Sequence, residues 1–123
     1  MDIKAYNEYC KSLPHSTHVV QWGGSHVWKI GGKVYAVGGW QDEDDDELFV
    51  SFKVTPIAFE VLKDEPGIRP APYLASRGMK WIQWMSDDTL SEDELKAHIE
   101  MSYRIVSSGL TKKLQRELGL LED

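Results

Sequence analysis

Four side chains near the middle of the chain combine the properties expected of a site for a small anionic ligand. They are Arg69, Tyr73, Lys80 and Trp81. Together they offer cations, a hydroxyl and an aromatic face, which small polar ligands need for charge pairing and stacking. Pro70 and Pro72 stiffen the crossing that carries them. The alternative is that Tyr73 and Trp81 only cover the edge of a sheet.

Elsewhere in the chain, the spacing of possible metal ligands gives only weak evidence for a metal site. His15 and His18 lie three residues apart, but no third ligand of matching type is near them in the sequence, so a polar loop explains both. The six consecutive acids from Asp42 to Glu47 lack the spaced ligands and turn glycine of a calcium-binding loop. We therefore expect an exposed, solvated loop without metal.

Nucleophilic catalysis is not indicated either. Cys10 falls on the apolar stripe of a predicted helix, where burial raises a thiol pKa and makes a poor nucleophile. Serine, histidine and aspartate form no catalytic pattern, and neither a phosphate-binding loop nor a zinc spacing is present. The sequence predicts a protein that is not an enzyme and has neither a cofactor nor a metal site.

Composition and charge narrow the functional classes that remain. The 123 residues suffice for one domain, residues 1–123, with its own core. A single cysteine without a signal-peptide pattern predicts a cytoplasmic protein, and no apolar run approaches the ~20 residues of a membrane span. A net charge of -6 opposes long-range attraction to nucleic acid. We expect a monomer whose partner is a small ligand or another protein.

Strand patterns dominate the first half of the chain. Residues 18–22 predict a first strand, and Ser25 to Val54 predict three more in an antiparallel meander. The Gly31-Gly32 pair predicts a tight turn, because glycine takes positive φ without steric cost. A two-residue turn pairs Lys33 with Ile30, Tyr35 with Trp28 and Val37 with His26. In the fourth strand, one alternating set is expected to face the helices: Leu48, Val50, Phe52 and Val54.

Helix signals frame these strands. Helices are predicted over residues 2–12 with Asp2 as the cap, after Thr55-Pro56, between a Ser91–Glu94 capping box and Gly109, and in a short tail after Thr111. Residues 68–78 predict an irregular crossing with a turn at Tyr73 to Ser76. Residues 79–85 predict a further strand, with Ile82 and Trp84 on one face and Trp81, Gln83 and Met85 on the other. The result is an α+β fold, an antiparallel meander sheet with helices packed on one face.

Five strings in this order resemble the MmcQ/YjbR family along nearly the full chain. They are SLP at 12–14, GGKVYAV at 31–37, FKVTP at 52–56, LKDEPGIRPAPYLASRGMKWIQW at 62–84 and SYRIVSSGLTKKL at 102–114. The resemblance implies a CyaY-like, frataxin-type fold, in agreement with the pattern above. It also implies DNA binding through a double-wing motif made by hairpins.

Carried onto this sequence, the wing is the Gly31-Gly32 tip. Lys29 and Lys33 flank this tip, and Lys53 and Arg77 are the further candidate DNA-binding cations. The same side chains are equally expected as ordinary solvated cations that balance the 20 acids of the chain. The acids after Gln41 would repel phosphate beside the wing. Weak DNA binding is therefore the alternative to a ligand-binding or protein-binding module. Iron binding of the frataxin type is not expected, because Asp2 and Glu8 are too few to form an acidic ridge on the first helix.

Overall fold

The computed structural model describes residues 1–39, 48–72 and 74–120, and these form four α-helices and six strands. The helices are α1 (Ile3–Ser12), α2 (Pro56–Leu62), α3 (Glu92–Ser108) and α4 (Lys112–Glu117). The strands are β1 (Ser16–Gln21), β2 (Ser25–Ile30), β3 (Lys33–Gly38), β4 (Val50–Lys53), β5 (Ile68–Pro70) and β6 (Trp81–Trp84). A 3₁₀ turn, Ala75–Arg77, precedes β6. No helix in the described ranges is long and apolar enough to cross a membrane.

All strands belong to one antiparallel sheet in the order β1-β2-β3-β4-β6-β5. The first four strands form the predicted meander. The chain then passes through α2 to the edge strand β5 and returns as β6, which lies between β5 and β4. The predicted α+β class is confirmed.

The helices pack on one face of this sheet. Their buried side chains join those of the strands in a single apolar cluster, which includes Tyr6, Phe52, Phe59, Ile82 and Ile99. The opposite face carries a smaller cluster of Val27, Val37, Ala71 and Trp81, with Leu74 packed against it. In β4 and β6 the predicted alternation is confirmed, because Phe52 and Ile82 face the helices while Trp81 faces away.

Each helix begins at its predicted cap, because a polar side chain there accepts an amide hydrogen from the first turn. The caps are Asp2, Thr55, Ser91 and Thr111. At α3 both halves of the Ser91–Glu94 capping box form. Cys10 of α1 is fully buried, and burial raises the pKa of its thiol to about 12, as expected of a packing residue.

The predicted register between β2 and β3 is correct at one pair and wrong at two. Lys33 lies opposite Ile30, but a bulge between Trp28 and Lys29 then places Ala36, and not Tyr35, opposite Trp28. The bulge lets Tyr35 and the next residue both join the helix-facing cluster. The buried Tyr35 hydroxyl contacts Ser16 Oγ at 2.8 Å and donates to the Cys10 carbonyl at 3.2 Å. Simple alternation misses such an inserted residue.

The crossing after α2 also differs from the prediction, because it begins with β5. This strand has only three residues and ends in Pro70, which lies opposite Ile82. Proline lacks a backbone N–H, so it is tolerated at a sheet edge.

The first strand also differs from the prediction, because it starts at Ser16 rather than at residue 18. The predicted acidic loop, Asp42 to Glu47, and the start of the predicted turn, Tyr73, lie outside the described residues.

Stability should fall on mild acidification because of His98 on α3. Its ring lies 5.7 Å from that of Phe52, and burial lowers its pKa, with Glu94 opposing part of the shift. The unfolded chain therefore binds a proton more readily, from about pH 6.5 downward. Relative to His98→Gln, the wild type should lose stability as pH falls below that value. Urea unfolding of both proteins between pH 5 and 8 measures this, and a pH-independent difference would contradict it.

Candidate functional site

The candidate site lies where β3 and β4 separate, and the hydroxyl of Ser102 of α3 bridges the two strands there. The two strands pair at Ala36–Phe52 and beyond, so Tyr35 and Lys53 should form the next ladder bond. Instead, the buried Ser102 hydroxyl donates to the Tyr35 carbonyl at 2.6 Å and accepts from the Lys53 amide at 2.9 Å. One hydroxyl thus replaces a strand-to-strand hydrogen bond and keeps both backbone groups paired.

The separation opens a cleft of about 490 Å³. Its walls come from β3, β6, the crossing segment and the C-terminal end of α3. Most of the wall is apolar, with Val34, Val37, Leu74, Met79, Trp81 and Ile105 among the lining residues. This volume and composition are typical of sites for small molecules, which range from about 300 to 1,000 Å³.

Two lysines supply the charge of the cleft. Lys33 at the start of β3 and Lys53 at the end of β4 both line it. Neither forms an ion pair with a described residue, and no described carboxylate lines the cleft. Lys33 is exposed and Lys53 is half-buried. Two uncompensated ammonium groups beside an apolar wall favour an anion.

Trp81 adds an unused hydrogen-bond donor. Its side chain is 2 % exposed, and its indole N–H has no hydrogen-bond partner among the described groups. Among the described residues, the two other buried indoles are paired, since Trp28 donates to Asn7 Oδ1 at 2.9 Å and Trp84 to the Leu90 carbonyl at 2.8 Å. A buried donor without an acceptor costs free energy, so its position in the cleft wall favours an acceptor brought by a ligand.

A second, smaller cavity of about 360 Å³ shares Lys53, Met79 and Ile105 with the cleft. Lys80 lines it, with its ammonium 4.9 Å from the centre of the Phe59 ring. The basic character of the cleft therefore extends toward α2. Across the described ranges, no three His, Cys, Asp or Glu side chains come together as a metal site.

A sequence model of the YjbR family matches residues 11–105, which is most of the chain. The chain belongs to the YjbR family. The matched region contains most of the residues that line the cleft, including both lysines, and it contains Ser102. A comparison with functionally curated proteins finds no match.

Solved structures support the family fold. A Deinococcus radiodurans protein with a DUF419 domain is 28% identical to this YjbR-family chain, with a TM-score of 0.81, and the match covers 97% of this chain and 88% of that one. A Pseudomonas syringae protein is 21% identical, with a TM-score of 0.67 over 86% of this chain and 99% of its own, and it supports the fold alone.

The predicted ligand residues are only partly brought together in this YjbR-family protein. Trp81 lines the cleft and Lys80 lines the adjoining cavity. Arg69 lies elsewhere on β5, where its Nε donates to Gln83 Oε1 at 2.7 Å and its guanidinium lies 5.7 Å from the Phe49 ring. Tyr73 lies outside the described residues.

The predicted DNA-binding residues are also divided. Lys33 and Lys53 line the cleft, whereas Lys29 lies opposite the lining residue Val34 without lining the cleft itself. Arg77 is exposed on the 3₁₀ turn and lines neither cavity. The structure therefore combines cations from both predicted sets around Trp81.

The Gly31-Gly32 tip of the supposed wing packs against the helical C-terminal part of the protein. A Cβ atom on Gly31 would lie 2.6 Å from Leu110 Cδ1 and 3.1 Å from Leu114 Cδ2. Gly31 is accordingly half-buried, while Gly32 is exposed. Only part of the tip backbone is therefore free to approach a phosphate group.

Sequence patterns missed most of the apolar cleft wall, including Val34, Met79 and Ile105. Nothing in their types distinguishes them from core residues. Ser102 is different, because a serine within the apolar stripe of α3 is visible as an interruption. Its partners on β3 and β4 are not visible in the sequence.

Proposed function

We propose that this YjbR-family protein is a non-catalytic module that binds a small anionic ligand with an apolar body in the cleft between β3 and β4. The observation that carries the proposal is the indole N–H of the buried Trp81, which has no partner among the described residues, in a cleft wall that also holds two lysines without a described ion-pair partner. The single, buried Cys10 fits action in the cytoplasm.

Different parts of the cleft would contact different parts of the ligand. Lys33 and Lys53 offer charge-assisted hydrogen bonds to a carboxylate, sulfonate or phosphate group. The apolar body of the ligand would lie against Met79 and Ile105, and burial of that surface supplies affinity. Trp81 would donate to a ligand oxygen, which relieves the cost of its unpaired N–H.

Anilinonaphthalene sulfonate tests this proposal, because it joins an anion to an aromatic body, and neutral phenylnaphthylamine is its uncharged counterpart. We expect the sulfonate to bind at one site and the neutral compound to bind more weakly. Lys33→Met and Lys53→Met keep the side-chain stems and remove the charges, so the double variant should bind the sulfonate about tenfold or more weakly. Fluorescence titration measures both affinities.

Lys29→Met is the matched control, since Lys29 lies on the adjoining strand but does not line the cleft. Its affinity for the sulfonate should equal that of the wild type. Equal binding of the charged and neutral compounds would contradict an anion site in the cleft. An equal loss of sulfonate affinity in the Lys29→Met control and in the Lys33→Met, Lys53→Met double variant would contradict it as well. The absence of a single saturable site would contradict the proposal as a whole.

A labelled DNA duplex is the comparison probe for the alternative function. Lys29, Lys33 and Lys53 lie on three successive strands of the sheet, which is the one arrangement that favours DNA. With a net charge of -6, binding should be no tighter than about 10⁻⁶ M and should weaken steeply with salt. Tighter binding that is lost in a Lys29→Ala, Lys33→Ala variant would favour the nucleic-acid function instead.

A further inference from the structure

Two histidines on neighbouring strands meet beside α1, away from the cleft. His18 of β1 and His26 of β2 have ring centres 5.1 Å apart and ring planes within 11° of each other. Nε2 of His18 lies 3.0 Å from Nδ1 of His26. This is a hydrogen-bond distance, so the two imidazoles meet edge to edge through one nitrogen of each.

Neighbouring side chains hold this pair in place. The His18 ring lies over Trp28, with ring centres 4.7 Å apart. Trp28 donates to Asn7 Oδ1 at 2.9 Å, which turns the Asn7 amide nitrogen toward His26 Nδ1 at 3.3 Å. An indole nitrogen can only donate, so this chain of contacts identifies His26 Nδ1 as the unprotonated nitrogen of its ring, whose lone pair accepts hydrogen bonds.

We propose that His18 Nε2 and His26 Nδ1 form a bidentate site for a divalent transition-metal ion, Ni²⁺ or Cu²⁺, with water completing the coordination. At metal–nitrogen distances of about 2.0 to 2.1 Å, nitrogens 3.0 Å apart subtend about a right angle at the ion. Right angles between nitrogen ligands belong to the tetragonal geometry of Cu²⁺ and Ni²⁺. The site is independent of the ligand cleft.

Binding requires a rearrangement of the pair. His18 must carry its hydrogen on Nδ1 in place of Nε2, and a neutral imidazole makes this exchange through water without losing a net proton. The pKa of His18 is lowered by desolvation and by the neighbouring His26. His18 is exposed, so its ring can tilt toward the ion. The ion takes the lone pair of His26 Nδ1, so both contacts of that nitrogen are lost, at 3.0 Å from His18 Nε2 and at 3.3 Å from the Asn7 amide nitrogen.

Calorimetric titration of the untagged protein with NiCl₂ near pH 7.4 tests the site. The wild type should bind one ion per chain, tighter than about 1 mM. His18→Ala and His26→Ala should each abolish this binding or weaken it by about tenfold or more, because each removes one of the two ligands. MgCl₂ should give no comparable heat, since a hard cation prefers oxygen ligands.

His15→Asn is the matched control, because His15 is exposed, lies outside the pair and has a positive φ of 62° that asparagine tolerates. It should bind nickel as the wild type does. Unchanged binding in His18→Ala would place the ion elsewhere and overturn the proposal, as would a wild type that binds no nickel up to about 1 mM. If His26→Ala fails to fold, the exposed His18→Ala variant alone decides the outcome.

Discussion

Replacing Ser102 by alanine should destabilise the protein by about 2 to 4 kcal/mol. The change removes two hydrogen bonds of one buried hydroxyl, at 2.6 Å to the Tyr35 carbonyl and at 2.9 Å from the Lys53 amide. Both backbone groups then lose their partner away from water, and each unpaired group costs about 1 to 3 kcal/mol. Urea unfolding measures the loss, and faster hydrogen exchange of the Lys53 amide should accompany it.

Ser107→Ala is the control for this effect on the same helix. The Ser107 hydroxyl donates only to the Arg104 carbonyl of α3, at 3.1 Å, so its removal should change stability by no more than about 0.5 kcal/mol. If Ser102→Ala is equally mild, the strands have closed to form the Lys53–Tyr35 bond directly. In that case the hydroxyl is not what keeps β3 and β4 apart.

Replacing Gly38 by alanine should cost about 1 to 3 kcal/mol through overpacking against Tyr6. A Cβ atom there would lie 2.6 Å from Tyr6 Cε2 and 2.9 Å from both Cδ2 and Cζ. The Tyr6 ring is fully buried, and its hydroxyl donates to the His26 carbonyl at 3.0 Å, so the ring has little freedom to move aside. Thermal unfolding should show a Tm lower by several degrees.

Two further variants separate the clash from a general effect of alanine. Gly109→Ala places its Cβ no closer than 3.4 Å to another atom, so its effect should be small. In a Tyr6→Leu background, Gly38→Ala should cost much less than in the wild type, because the ring that it meets is gone. Equal costs in both backgrounds would show that the Tyr6 ring is not the obstacle.

Local features of the fold could be predicted with good accuracy. Asp2, Thr55, Ser91 and Thr111 all cap helices where the sequence indicates, because an N-cap involves only residues three positions apart. The alternation in β4 and β6 also identifies the core-facing set, since side-chain direction in a strand depends only on parity.

Features that depend on distant partners could not be predicted in this way. The bulge at Tyr35 accompanies contacts of its hydroxyl with Ser16 and the Cys10 carbonyl, 19 and 25 residues away. Strand β5 has only three residues, too few to show an alternating pattern, and it becomes a strand through pairing with β6. Pairing energy from another part of the chain decides both cases, and a short stretch of sequence holds no trace of it.

The same division applies to the candidate sites. The sequence by itself determined the α+β class, the helix starts, the net charge of -6 and the types of side chain available for an anion. Only the tertiary structure brought Lys33 and Lys53 to one cleft with Trp81, moved Arg69 away from it and placed His18 beside His26 rather than beside His15. The physical reason is that spacing along a chain fixes only which side chains share a strand or a helix face. Which of these side chains converge in space depends on strand order, on register and on the Ser102 hydroxyl between β3 and β4.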